Sequence, residues 1–263
     1  MAYKLIALDL DDTLLDPQKK ISGADLDAIK RAERAGLHIV IASGRIYQSI
    51  EKIAGQTGLH GYTISCAGAQ VVDPDGEVVF SNPVSPILAK QVVRWAATRG
   101  IYFQVFLDDG FYYVTRSHYT DYYEQMGGLQ GIEDPGLLAK EPLLASKILL
   151  IDEPENLREY RKELAATFPD LQILSSHSKY LEVFSMEASK ERALAFIAGK
   201  LDVEQQQIVA IGDSEVDIGM LKYAGLGIAM ANSIPEVLQI ADYVTASNEE
   251  SGVAKALDKY VLT

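Results

Sequence analysis

The alternation of short apolar runs with helical patterns breaks off near residue 83 and resumes near residue 184, and this interruption constrains the fold most. In the first stretch, Tyr3–Leu10 is a nearly continuous apolar run, the pattern of a strand covered on both faces. A helix follows, with Ser22 as N-cap, Asp25 in its third position, Leu26 and Ile29 apolar, and Gly36 as terminator. His38–Ala42 reads as the next buried strand, with His38 a structural residue at its entry. Residues 46–55 read as a helix and Thr63–Cys66 as a third strand. The segment VVDPDGEVVF is a hairpin, because β-branched runs flank a Pro-Asp-Gly turn. After residue 186 come a helix at 188–200, strand Ile208–Ile211, helix 215–224, strand 226–230, helix 234–241, strand 242–245 and a last helix. Neither stretch carries enough strands alone. Joined, residues 1–82 and 184–263 make one α/β parallel sheet.

The residues between, 83–183, follow another plan. Residues 86–99 are helical around Leu88, Val92, Val93 and Trp95, and IYFQVFLDDGFYYVT is a hairpin turning at Asp109-Gly110. Lys147–Ile151 is a strand, 154–167 a helix, and LQILSSHSKYLEVF two further strands. Helices segregated between strands imply an α+β domain inserted into the first. Most of the tyrosines fall here, and at strand spacing they read as packing residues rather than as a stacking platform.

The formal net charge of -13 argues against nucleic acid and anionic membranes as partners, since long-range steering would be repulsive. A small phosphate ester would be repelled too, so a site for one must supply its own cation. Cys66 is the one cysteine, which excludes an internal disulfide and suggests a reducing compartment; in the apolar run ISCAG it reads as a buried, inert thiol. The N-terminal MAYKLIALDL lacks the layout of a leader, and no run approaches the ~18 apolar residues of a membrane span. The expectation is a soluble, cytoplasmic protein.

Three features stand at the ends of expected parallel strands, where open α/β sheets bind ligands. In DLDDTLL, Asp9 and Asp11 are two apart and project to one side if strand geometry persists. Such carboxylates repel unless they share a cation or a proton, and magnesium suits hard oxygen ligands. The alternative is a strand-to-turn connection in which aspartates cap backbone N–H groups, as Asp12-Thr13 could. In ASGR, Ser43 and Gly44 sit between a strand and a helix, either as an anion site or as an N-cap with a permissive glycine. In IVAIGDSEVDIGML, Asp213 and Asp217 are one helical turn apart and can face one point, although Asp217 could equally charge a helix start. Lys190 opens a helix whose dipole disfavours a cation, so it calls for an anion or for solvent.

In this order the motifs resemble the haloacid dehalogenase superfamily, most closely its Cof-type sugar-phosphatase branch, over essentially the whole chain. The carriers are DLDDT, Ser43, Lys190, GDSEVD and the closing GIAMANSIPEVLQIADYVTASNEESGVAKAL. The resemblance implies a Rossmann-like core with an inserted, mobile α/β cap, and a phosphatase that uses Mg2+ and an aspartyl-phosphate intermediate on a small phosphorylated metabolite. By position it makes Asp9 the nucleophile and a magnesium ligand, and Asp11 the general acid/base with its backbone carbonyl on the metal. Ser43, with Gly44, and Lys190 match phosphate-binding positions. Asp213 matches a metal ligand, and Asp217 a direct or supporting acidic partner. Two departures stand out: Val216 replaces the usual Asn before the second Asp of the late motif, and Ala67-Gly68 replaces Asn-Gly after the third strand. Asn232, in MANS, is the candidate to compensate. His60 and His118 read as surface residues and His177 as a solvated turn that could reach substrate. A mutase that shares the nucleophile and a non-catalytic ligand-binding member are the competing readings; substrate identity and oligomeric state stay open.

Overall fold

The computed structural model describes residues 3–262. Its first stretch runs β1 (Leu5–Leu8), α1 (Gly23–Arg34), β2 (His38–Ala42), α2 (Tyr47–Thr57), β3 (Tyr62–Ser65), β4 (Gln70–Val72) and β5 (Val78–Ser81). The middle holds α3 (Pro86–Ala97), β6 (Phe103–Leu107), β7 (Gly110–Tyr113), α4 (His118–Gly127), β8 (Ile132–Glu133), β9 (Lys147–Ile151), α5 (Pro154–Thr167), β10 (Leu171–Leu174) and β11 (Tyr180–Ser185). The last stretch is α6 (Lys190–Lys200), β12 (Ile208–Gly212), α7 (Ile218–Tyr223), β13 (Leu226–Ala229), α8 (Pro235–Ile240), β14 (Tyr243–Val244) and α9 (Gly252–Tyr260).

Two sheets result. The larger has the order β14-β13-β12-β1-β2-β3-β4-β5, parallel from β14 to β3 and closed by the antiparallel β4–β5 hairpin. Strands from both ends of the chain therefore share one sheet, as the interrupted alternation requires. The pleat sorts β1 between two cores: Ile6 and Leu8 pack with α1 and α9, while Leu5 and Ala7 pack on the side of α6. The second sheet has the order β10-β11-β9-β6-β7-β8, antiparallel except for β7–β8. One of its faces packs on α3 and α5 through Ile148, Leu150, Leu181 and Val183. The other, with Phe106, Leu149 and Phe184, packs on Ile46, Cys66 and Ala67, at the ends of β2 and β3. The middle of the chain is thus seated over the carboxyl edge of the parallel sheet.

Local signals hold where they are physical. The Ser22 hydroxyl accepts the Asp25 N–H, and Gly36, at φ +88°, follows the end of α1. Several boundaries differ from expectation. β1 stops at Leu8, because the chain turns at Asp12 (φ +59°), and β3 stops at Ser65, because Cys66 is left-handed (φ +46°). α2 begins only at Tyr47 with no side-chain cap, so Ser43 is not an N-cap; its hydroxyl accepts the Arg45 N–H instead. The helix expected at 215–224 opens as a 3-10 turn, Glu215–Asp217, before α7. Cys66 is buried, and burial pushes its thiol up to about 12, in keeping with an inert side chain. Among the described residues no helix is long and apolar enough to cross a membrane.

Candidate active site

β1 and β12 are parallel neighbours, with Leu8 level with Ile211, so the residues that follow them leave the sheet side by side. The Asp9 N–H still donates to the Ile211 carbonyl, and Asp213 stands just beyond β12. That junction carries the chemistry. Carboxylate oxygens of Asp9, Asp213 and Asp217 lie within 4.8 Å of one another, all three residues buried. Lys190, at the first position of α6 and also buried, donates to Asp9 Oδ1 and to Asp217 Oδ1, each at 2.6 Å.

Asp217 is fully committed within the protein. Its second oxygen accepts the N–H groups of Asp213 and Ser214, at 3.1 and 3.0 Å, and the Ser214 hydroxyl at 2.9 Å. The fold makes room for this by having Gly212: a Cβ there would lie 2.7 Å from Asp217 Cβ. Asp213 takes the Thr13 hydroxyl at 2.7 Å. Three carboxylates against one lysine leave excess negative charge in a dry place. Burial, reinforced by the Asp217 charge, raises Asp213 to about 8 and pushes Asp9 well above its ordinary range. The attraction of Asp217 and Asp9 outweighs the burial that opposes charge on Lys190, and holds it protonated. A cluster of hard oxygen donors short of positive charge fits a divalent cation such as magnesium, with Asp9 and Asp213 the carboxylates that retain free lone pairs.

Asp11 is placed differently. Arg45 grips it with both arms, Nε to Oδ2 at 2.6 Å and a terminal nitrogen to Oδ1 at 2.7 Å, and Lys19 adds a contact at 2.9 Å. These cations hold its carboxyl below the usual range against the opposing effect of burial. Gly44 presents its carbonyl to Lys147 at 2.6 Å, whereas Ser43 is buried beneath the loop. Asn232 is exposed and spent on structure: its amide donates to the Asp12 carbonyl at 2.7 Å and accepts the Asn248 N–H at 3.1 Å. It braces the DLDDT loop from behind.

A cavity opens from these residues toward the second sheet, lined by Asp9, Asp11, Gly44, Arg45 and Val216 on one side and Tyr123, Lys147, His177, Tyr180 and Glu182 on the other. Val216 also packs against the apolar cluster that joins the two sheets. His177 lies in the β10–β11 turn, half-buried against Tyr180, and His60 and His118 are exposed as expected. Arg45, Lys147 and Glu182 are not among the candidate site residues of the sequence, and Thr13 enters there only within DLDDT and as a possible cap. Lys147 and Glu182 carried a visible signal: charged side chains inside the otherwise apolar strand runs KILLI and YLEVF.

Residues 6–257 match the family model of the haloacid dehalogenase-like hydrolases. Phosphatase YwpJ of Bacillus subtilis (strain 168) is 28% identical over 277 residues, 95% of this chain and 97% of its own. From the same organism, 5-amino-6-(5-phospho-D-ribitylamino)uracil phosphatase YitU is 30% identical over 268 residues, 97% of each chain. The solved structure of a haloacid dehalogenase-like hydrolase from B. subtilis matches with a TM-score of 0.89 at 29% identity, covering 98% of this chain and all of that one.

Proposed function

Because the chain belongs to the haloacid dehalogenase-like hydrolase family and is a phosphatase, we propose that it transfers the phosphoryl group of a small phosphorylated metabolite to Asp9. The observation that carries this reading is the Lys190 clamp, which fixes one oxygen of Asp9 at 2.6 Å and leaves the other for attack. The substrate class is sugar phosphates or similar esters, in line with the charged and aromatic side chains that line the cavity.

In the first step an Asp9 oxygen bonds to phosphorus as the ester P–O bond breaks, and the departing alkoxide takes a proton from Asp11. In the second, Asp11 removes a proton from water, whose oxygen attacks the aspartyl-phosphate and frees Asp9 and inorganic phosphate. To act as acid, Asp11 has to give up Arg45 and gain a proton, and the freed guanidinium is then available to the phosphoryl oxygens. Mg2+, held by the carboxylates of Asp9 and Asp213 and the carbonyl of Asp11, would offset the charge of an anionic nucleophile meeting an anionic ester. Asp217 keeps Lys190 and the Asp213 loop in place instead of binding metal. Ser43 and Gly44 present the loop that receives the phosphate, and residues 83–183 form the cap that selects the leaving group. A net charge of -13 fits an enzyme with neither nucleic acid nor an anionic membrane as partner, and a single cysteine fits a cytoplasmic one.

The test is phosphate release from p-nitrophenyl phosphate and a panel of sugar phosphates, with and without magnesium, for the wild type and Asp9→Asn. Turnover is expected only for the wild type with metal. An Asp9→Asn protein, free of contaminating phosphatase, that keeps the wild-type kcat would remove Asp9 from the role.

A further inference from the structure

Lys147 on β9 and Glu182 on β11 both lie on the face of the second sheet that is turned toward Asp9 and Asp11. They are 3% and 1% exposed, so neither charge is solvated. Lys147 Nζ donates to Glu182 Oε1 at 2.5 Å and to the Gly44 carbonyl at 2.6 Å, with the Phe106 ring 4.5 Å away. The lysine therefore ties the carboxylate to the ASGR loop; a Cβ on Gly44 would stand 4.0 Å from Glu182 Oε1. Yet Glu182 Oε2 is buried and, among the described residues, has no hydrogen-bond partner. A buried carboxylate oxygen without a donor is costly, so a partner that can reach it from the cavity gains by supplying one. Tyr123, His177 and Tyr180 wall the same cavity.

We propose that Glu182 is a specificity-determining residue whose free Oε2 accepts a hydrogen bond from a hydroxyl or amino group on the alcohol portion of the phosphate ester. The inference rests on the phosphatase reading above and narrows it. Lys147 neutralises and orients the carboxylate, so the site asks for a donor and not for a cation. A polyhydroxylated leaving group supplies one while stacking its carbons on the aromatic walls; a plain alkyl chain leaves Oε2 unpaired and forfeits rate.

The experiment compares kcat/KM for ribose 5-phosphate and sorbitol 6-phosphate with n-pentyl and n-hexyl phosphate. The wild type is expected to prefer the hydroxylated ester of each pair at least tenfold, and Glu182→Gln, which can turn a donor into the cavity, to lose most of that preference. Equal wild-type rates for the two series overturn the inference, with no variant needed. So does a Glu182→Gln protein of unchanged melting temperature that keeps the preference. Absence of turnover on every ester, p-nitrophenyl phosphate included, would count against the phosphatase reading alone. Calorimetric binding of sorbitol 6-phosphate against n-hexyl phosphate then decides on Glu182: tighter binding of the former, weakened tenfold by Glu182→Gln, supports it, and equal binding overturns it.

Discussion

Lys190 puts a positive charge at the start of α6, where the backbone dipole opposes it, and the two carboxylates that answer for it lie 181 residues before and 27 after. The pairing separates two aspartates that look equivalent in GDSEVD. Asp217→Asn removes a fully buried partner of Lys190 and should cost on the order of 3 kcal/mol of stability. Asp213→Asn keeps an acceptor for Thr13 and relieves crowded negative charge, so it should melt close to wild type in chelator while needing far more magnesium for activity. Melting curves in chelator and magnesium titrations of both variants check the ranking. If Asp217→Asn melts normally but has the larger magnesium requirement, Asp217 is itself a ligand. At this scale the sequence was legible for side chains whose chemistry is unusual for their place, such as Lys190. It did not show what Asn232 and Arg45 pair with, because their partners, an Asp12 carbonyl and an Asp11 carboxylate, are supplied by the fold.

Among the elements, the turn after β3 most directly couples backbone to site. Cys66, Ala67 and Gly68 are consecutively left-handed, at φ +46°, +53° and +98°. An Asn tolerates that region better than an Ala does, so Ala67 carries modest strain. Gly68 has no substitute. A Cβ there would lie 2.1 Å from the Ser189 carbonyl group and 2.6 Å from Lys190 N, against the first turn of α6. Gly68→Ala should therefore destabilise by roughly 3 kcal/mol and displace Lys190 from Asp9. Thermal melting together with kcat tests this: a variant that melts and turns over like the wild type would mean that the turn does not position α6. The sequence showed a glycine soon after a strand, but only the packing of α6 against that turn shows why the glycine is needed.

For the molecule as a whole, charge imbalance at one sheet junction links pH, metal and stability. Folding raises Asp213 from 3.8 to about 8, and Asp9 also rises, so the fold favours their protonated forms. That stability is complete below the unfolded value of 3.8 and is lost as pH rises through about 8. Metal-free protein should consequently melt at lower temperature at pH 8 than at pH 5.5, and magnesium should raise the melting temperature more at pH 8. A metal-free melting temperature that is flat or rises over this range would contradict the coupling. The sequence by itself determined the two-part α/β plan, the strand-end placement of Asp9, Ser43 and Asp213, and the need for local positive charge in a chain of net charge -13. Those follow from periodicity, turn chemistry and charge, which are local or additive. The tertiary structure alone decided that Asp217 serves Lys190, that Arg45 grips Asp11, and that Lys147 and Glu182 reach across from the second sheet to Gly44. Each depends on strand neighbours and sheet docking, where residues far apart in the chain meet in a dry site and their charges become strong enough to set one another's roles.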